Sequence, residues 1–148
     1  MFPIKTLLHP TDFSEYAEEA HAMACAIARE QKARLVILHV TDKPVVSYIE
    51  KASELNPKQI QDKLWETLQW PREKEAELNV EHRIEEGGAV SQIVRVAAEI
   101  RSDLIVMGSH GRRGWFRWFT SSVIEEVIRK APCSVLVAKP SKSEVGAA

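Results

Sequence analysis

Short apolar runs alternate with amphipathic segments along most of the chain, and this alternation restricts the possible folds more than any other feature. Leu35–Val40 and Leu104–Met107 are apolar almost throughout, which is typical of strands buried on both faces of a parallel sheet. Further strands are predicted at Ile4–His9, Val80–Glu85 and Val135–Ala138. The Val80–Glu85 strand is expected at an edge of the sheet, because apolar and charged residues alternate in it.

Helices are predicted between these strands from residues that recur at helical spacing. The first repeats small residues such as Ala24 on one face and can therefore pack close to a sheet. A second is predicted over Pro57–Leu78, kinked or ended early by Pro71. Two more are expected around Ile93–Ile100 and Val123–Ile128. The order β-α-β-α-β-α-β-α-β predicts one α/β domain, a parallel sheet with helices on both faces.

Length and composition describe an ordinary globular protein. The 148 residues suit one domain with a sizeable core. A net charge of −1 disfavours general nucleic-acid binding. Cys25 and Cys133 lie far apart in apolar contexts, so two buried free thiols are expected, which fits a reducing compartment. Since the N-terminus does not look like a signal peptide and no run approaches membrane-spanning length, a cytoplasmic protein without a membrane partner is expected.

A glycine-punctuated segment follows the fourth predicted strand. It contains Gly108, Gly111 and Gly114, and Ser121-Ser122 then opens an apolar helix. Glycines let backbone amides approach an anion closely, and a helix start adds unpaired N–H donors and the positive end of a dipole. The segment therefore predicts a phosphate site beyond the carboxyl end of a strand.

Motifs of the common nucleotide-dependent enzymes are missing. The first strand ends in His9-Pro10-Thr11-Asp12, without the glycines of a dinucleotide fingerprint, which argues against an NAD site. A P-loop is also missing, which removes the lysine and the magnesium-binding hydroxyl of an efficient NTPase. His110 lies in the glycine-rich segment without an evident paired base, so no catalytic residue is predicted. The histidines and cysteines show no metal-ligand spacing.

The pattern Gly108-x2-Gly111-x9-Ser121-Ser122 closely resembles the ATP-binding signature Gly-x2-Gly-x9-Gly-Ser/Thr of the universal stress protein family. The flanks Pro10–Ser14 and Ala131–Val137 resemble that family as well. The resemblance implies a Rossmann-like, five-stranded sheet in the order 3-2-1-4-5, similar to the adenine nucleotide alpha hydrolases, in a usually dimeric protein. It also implies a domain over residues 1–140 and an adenine-nucleotide site between the first and fourth strands, and the polar, small residues 141–148 predict a flexible tail.

The resemblance assigns residues to a site for ATP or AMP, with or without Mg²⁺. Thr11 and Asp12, with the backbone near Val40, line the adenine and ribose end. Met107 and Gly108 border the sugar, and later residues hold the phosphates, largely through backbone N–H groups and a hydroxyl. In chain order the predicted set is Pro10, Thr11, Asp12, Val40, Met107, Gly108, Gly111, Arg112, Ser121, Ser122 and Val123.

Each assignment has a structural alternative. The glycines can simply form the turn that leaves the strand. Asp12 and Ser122 each precede a glutamate by three residues, the spacing of a capping box, so either can cap a helix. Val40 and Met107 have the residue types of a core. Arg112 either neutralises phosphate charge or belongs to a solvated loop.

Ser121 stands where the ATP-binding pattern has glycine. If that position requires a positive φ, serine costs about 1 kcal/mol there, and its Cβ narrows the approach of a phosphate. Two functions therefore stay open. One is a homodimeric stress factor, at most a slow ATPase, in which nucleotide orders Gly108–Ser122 and changes the surface shown to partners. The other is a dimeric interaction protein that does not bind nucleotide. The aromatic run Trp115–Phe119 is expected to pack on the body or on a partner chain, in preference to stacking on nucleic-acid bases, because the chain lacks a basic excess.

Overall fold

Five strands and four α-helices alternate in the described part of the chain, residues 3–12, 17–67, 70–109 and 120–139 of a computed structural model. In chain order they are β1 (Thr6–Pro10), α1 (Ala17–Gln31), β2 (Arg34–Thr41), α2 (Pro57–Thr67), β3 (Val80–Glu86), α3 (Ala89–Glu99), β4 (Leu104–Gly108), α4 (Ser121–Lys130) and β5 (Ser134–Ala138). This succession confirms the predicted α/β alternation.

The strands form one parallel sheet in the order β3-β2-β1-β4-β5, which confirms the order implied by the family resemblance. β1 is the central strand, and its Leu8 pairs with Val36 of β2 and with Ile105 of β4. β3 lies at one edge, as its alternating sequence predicts, and β5 lies at the other.

Alternate strand residues enter two separate apolar cores, because successive side chains of a strand point to opposite faces. Leu7 and Leu35 pack with α1 and α2, whereas Leu8 and Val36 pack with α3 and α4. Since helices cover both faces, the apolar run Leu104–Met107 is buried along its whole length.

α1 presents small side chains to the sheet. Ala20 and Ala24 have no exposed surface, and Ala28 is 1% exposed. Their small volume lets the helix lie close to β1 and β4, as the repeat of alanines predicts. The opposite side of the helix includes Ala26, which is exposed.

The second helix is shorter than the predicted Pro57–Leu78. α2 ends at Thr67, and a 3₁₀ turn at Glu73–Glu75 precedes β3. The prediction is wrong for residues 70–78. A Lys- and Glu-rich composition favours helix locally, but Glu75 is buried and hydrogen-bonded in the core. An early end is one of the two outcomes expected of Pro71.

The two cysteines differ in burial. Cys25 is buried and Cys133 is only half-buried, and both are free thiols. The expectation of two buried thiols is therefore correct for Cys25 and wrong for Cys133. Cys133 follows α4 and packs at the margin of the core that α3 and α4 cover.

Some predictions fall outside the described ranges. They concern the Asp12–Glu15 capping box, the aromatic run Trp115–Phe119 and the tail over 141–148. Among the helices that the structure describes, none combines the length and the apolar content needed to cross a bilayer.

Replacement of Ala24 by leucine is expected to lower the free energy of unfolding by about 1–3 kcal/mol, because the larger side chain has no room between α1 and the sheet. Ala26→Leu in the same helix is the matched control, and its effect stays within about 0.5 kcal/mol because residue 26 is exposed. Urea denaturation measures both variants. Equal stabilities would contradict the close packing of α1.

Candidate functional site

The carboxyl ends of β1 and β4 flank the point where the winding of the sheet reverses. From β1 the chain moves outward through β2 to β3, and then returns to β4 on the other side of β1. Ligands of open α/β sheets bind in the crevice at such a point, where the loops after neighbouring strands diverge. Of the predicted residues, Pro10–Asp12 at the end of β1 and Gly108 at the end of β4 therefore flank this point.

The residues after β1 are tied to β2. Pro10 ends the strand, and Thr11 follows with 1% of its surface exposed. The Thr11 N–H donates to the carbonyl of Leu38 at 2.8 Å, and the Thr11 carbonyl accepts from Nδ1 of His39 at 3.0 Å. Both ends of this residue are thus fixed, and the half-buried Asp12 comes directly after it.

His39 is a site-supporting residue that sequence reasoning missed. It lies next to the end of β2, where its ring nitrogen Nδ1 donates to the Thr11 carbonyl. Burial lowers the pKa of His39, and the Thr11 carbonyl and the Asp12 charge oppose that shift. A histidine without metal-ligand spacing gave no sign of this role, because the contact depends on how β1 and β2 pair.

The side chains of two predicted site residues pack in the core. Met107 is completely buried and Val40 is 4% exposed, and both pack in the cluster beneath α3 and α4. Any contact of theirs with a ligand at the carboxyl edge would come from the backbone. Gly108 ends β4, and the N–H of Ser109 donates to the carbonyl of Ala138 on β5 at 2.8 Å.

α4 begins at the carboxyl edge of the sheet, because it connects the end of β4 to the start of β5. Its cap is Thr120, whose hydroxyl oxygen accepts from the Val123 N–H at 3.3 Å. The alternative that Ser122 caps this helix is therefore wrong. Ser121 and Ser122 are exposed, and their amides lie in the first turn, where a helix supplies no acceptor.

Ser121 adopts its position without backbone strain. It is the first residue of α4, whereas the non-glycine residues with positive φ in the described ranges are Lys32, Lys51, Glu77 and Arg101. The condition under which serine would cost conformational energy is not met. The other possible effect of Ser121 is steric, because its side chain can narrow the approach of a phosphate.

The middle of the predicted phosphate segment lies outside the described residues. This applies to Gly111 and Arg112, and also to His110 and Gly114. The structure therefore places Pro10, Thr11, Asp12, Val40, Met107, Gly108, Ser121, Ser122 and Val123 at or near the carboxyl edge of the sheet.

A pocket of about 480 Å³ lies between α3 and α4. Its lining is mostly apolar and includes Val94 and Lys130, together with Val123 from the predicted set. In the described ranges, no group of three or more His, Cys, Asp or Glu side chains is arranged to hold a metal ion.

Chemically, the described part of the crevice offers a carboxylate at one end and helix-start amides at the other. Asp12 can accept hydrogen bonds from hydroxyl or amino groups, and the amides of α4 favour an anion. A ligand with a polar ring or sugar joined to a phosphate matches these two ends.

Comparison with known proteins identifies relatives over nearly the whole chain. The model of the universal stress protein family matches residues 3–139. The chain is similar to universal stress protein MJ0531 of Methanocaldococcus jannaschii, with 35% identity over 144 residues, which cover 95% of this chain and 85% of that protein. It is also similar to universal stress protein MJ0577 of the same organism, with 32% identity over 94% of this chain and 97% of that protein.

Solved structures share the fold. That of MJ0577 matches with a TM-score of 0.68 at 29% identity, over 94% of this chain and 98% of that one. A universal stress protein in complex with cAMP matches with a TM-score of 0.63 at 23% identity, over 93% of this chain and 99% of that one.

The assignment of the α4 cap is tested by Thr120→Ala, which is expected to lower the free energy of unfolding by about 1 kcal/mol, because the Val123 N–H loses its acceptor. Thr120→Ser keeps the hydroxyl and retains most of the stability. Ser122→Ala removes a hydroxyl that lies 2.9 Å from the Thr120 hydroxyl, and it is expected to cost less than Thr120→Ala because the Val123 N–H keeps its acceptor. Thermal unfolding ranks the variants, and a larger loss at position 122 than at 120 would reverse the assignment.

Proposed function

The chain belongs to the universal stress protein family, and we propose that it binds an adenine nucleotide, ATP or AMP, and acts as a nucleotide-responsive stress factor. The observation that carries this proposal is the fixed peptide of Thr11 at the reversal point of the sheet. A binding edge that is rigid before the ligand arrives saves the cost of ordering it.

The adenine and ribose end of the proposed site is the segment Pro10–Asp12. Hydrogen bonds from Thr11 to β2 hold this segment against the sheet, so the Asp12 carboxylate starts from a fixed backbone. A carboxylate in this place can accept from the ribose hydroxyls or from the exocyclic amino group of adenine. Val40 and Met107 would bound the site through their backbones.

The phosphate end of the proposed site is the start of α4. Thr120 satisfies the Val123 amide, which leaves the amides of Ser121 and Ser122 outside the hydrogen bonds of the helix. These donors and the helix dipole favour a negatively charged group. Gly108 lies at the end of β4, and Gly111 and Arg112 complete the proposed set.

Binding, and not rapid hydrolysis, is the proposed activity. The chain lacks the P-loop lysine that stabilises the transferred phosphoryl group, so any ATP hydrolysis would be slow. Whether Mg²⁺ accompanies the nucleotide is part of the test. The free thiol of the buried Cys25 agrees with the cytoplasmic location that we infer.

Calorimetric titration of the purified chain with ATP, ADP, AMP and cAMP, each with and without Mg²⁺, tests the proposal. We expect a dissociation constant below about 1 mM for ATP or AMP. Asp12→Ala is expected to weaken binding about tenfold, because it removes a charged hydrogen-bond acceptor. cAMP is included in the series because a universal stress protein of the same fold has been solved in complex with it.

Ser121→Gly is the matched control for the phosphate end. Because Ser121 is already helical, its replacement by glycine is expected to change affinity by less than about threefold. Absence of heat at millimolar nucleotide, with binding restored by Ser121→Gly, would mean that the serine side chain blocks the site. That result would favour the second function, a dimeric interaction protein that does not bind nucleotide.

A homodimer is part of both functions, and an edge of the sheet supports it. β5 lies at the end of the strand order, and its Val135, Leu136 and Val137 are half-buried. An apolar edge strand of this kind invites pairing with another chain unless something covers it. We propose that a second copy of the chain pairs there.

Val137→Lys is expected to convert the dimer to monomer, because it places a charge on the edge strand at a residue outside both apolar clusters. Val46→Lys is the matched control, since Val46 is 53% exposed on the loop after β2 and far along the sheet from β5. Sedimentation equilibrium measures the mass of each variant. A dimer that persists in Val137→Lys would exclude the β5 edge as the contact.

A further inference from the structure

A buried polar cluster lies on the α1 side of the sheet and is not used by the proposed nucleotide site. Its centre is Glu75, 7% exposed, in the connection between α2 and β3. One carboxylate oxygen accepts from Nε2 of His21 at 3.0 Å and from Nε1 of Trp70 at 2.6 Å. The other accepts from Nε2 of His82 at 2.8 Å. Residues from α1, the connection and β3 thus meet at one carboxylate.

Glu75 stays ionised in this environment. Burial raises the pKa of its carboxyl group, but the three hydrogen bonds from His21, His82 and Trp70 outweigh burial and lower the pKa to about 2. Glu75 is therefore a permanent negative charge in the core at any pH near neutrality.

His9 of β1 completes the cluster and has one unpaired ring nitrogen. Its Nδ1 donates to the Val106 carbonyl at 2.8 Å, while its Nε2 is buried with no hydrogen-bond partner among the described residues. The ring stacks on His21, with 5.9 Å between centroids and 17° between planes. Trp70 lies over both rings, at 6.5 Å from His9 and 4.6 Å from His21.

The described groups around His9 provide no hydrogen-bond acceptor for a second ring proton. The described residues of the cluster include three imidazoles, those of His9, His21 and His82, but only the single carboxylate of Glu75. That carboxylate already accepts from three donors. A protonated His9 would carry an Nε2–H without an acceptor, beside a second imidazole, which is a costly state in a core.

The neighbours of His9 on β2, β4 and α1 also provide no acceptor for a second ring proton. On β2, Ile37 stands in register between His9 and His82, and β4 contributes the Val106 carbonyl that His9 already uses. On α1, burial and the Glu75 charge raise the pKa of Cys25 to about 11, so its thiol stays protonated and neutral.

Two cations stand at the rim of the cluster. Arg29 of α1 donates to the carbonyl of Lys74 at 3.0 Å in an exposed contact. Both cations act on the Cys25 thiol, and neither provides an acceptor for a proton on His9.

We propose that the His9–His21 stack is an acid-responsive switch, in which a proton taken up by His9 below neutral pH releases the connection over residues 70–79 from α1 and β1. Release removes the Trp70 ring that covers His9 and admits water to the unpaired nitrogen. The connection contains only the 3₁₀ turn at Glu73–Glu75 as regular structure, so it can open at a lower cost than the paired strands beneath it.

The pH range of the switch follows from the two titrating groups. Burial, with a smaller effect of His21, outweighs the Val106 hydrogen bond and the Glu75 charge and lowers the pKa of His9 from 6.5 to about 4, so the open form binds a proton more readily than the closed form. The contribution of His9 to stability is therefore complete above pH 6.5 and is lost as the pH falls from 6.5 to 4. The pKa of Glu75 is also lowered, but its contribution is lost only between 4.5 and about 2.

Hydrogen exchange of the full chain, measured without nucleotide and corrected with an unstructured peptide, tests the switch. Between pH 7 and pH 5 the opening constant of residues 70–79 is expected to rise about 20-fold, from the two pKa values of His9. His9→Asn keeps a donor for the Val106 carbonyl but does not titrate, and it should abolish this rise. Met23→Gln, at a position of α1 that is 39% exposed and outside the cluster, is the control and should retain it.

The same rise in His9→Asn as in the native chain would overturn the proposal. If that variant does not fold, the native chain decides through the NMR titration of its imidazole protons. We expect His9 to stay neutral in the closed protein at pH 5, whereas an ordinary midpoint near 6.5 with unchanged exchange at residues 70–79 would refute the switch. Because no nucleotide is present, these results do not depend on the proposed binding function.

Discussion

The pairing of β1 on both of its edges is the interaction on which the rest of the structure depends. β1 pairs with β2 along Thr6–Pro10 and with β4 at Leu7 and Leu8. The bonding to β2 continues past the strand, because the Thr11 N–H donates to the Leu38 carbonyl. The geometry of the crevice is therefore set by backbone pairing, to which the His39 side chain adds its hydrogen bond to the Thr11 carbonyl.

Much of this architecture is predictable because burial leaves a local pattern in the sequence. Leu104–Met107 lacks polar alternation since helices cover both faces of β4, and the small residues of α1 reflect its short distance from the sheet. Strand order leaves no such pattern, because a buried parallel strand looks the same whichever neighbours it has. The order was predictable only through the resemblance of the glycine-punctuated segment and its flanks to a known family.

The candidate site was predictable at the level of segments but not of individual hydrogen bonds. The spacing of Ser122 and Glu125 suggests a cap, yet the backbone of Thr120, with φ −64° and ψ 164°, makes that residue the cap. The roles of His9 and His39 are invisible in the sequence for a different reason. Each depends on an element that is distant along the chain, and Glu75 in particular lies in a segment whose composition indicates a solvated helix.

The acid-responsive cluster and the nucleotide site share the end of β1. His9 and Thr11 are separated only by Pro10, and the Thr11 peptide is bonded to β2 on both sides. A nucleotide that binds the closed form better than the open form must oppose the opening of residues 70–79. Opening must then weaken nucleotide binding by the same factor by which the nucleotide lowers the opening constant. The two proposals are thus linked by thermodynamics through one strand end. Acid and nucleotide would then act on the protein in opposite directions.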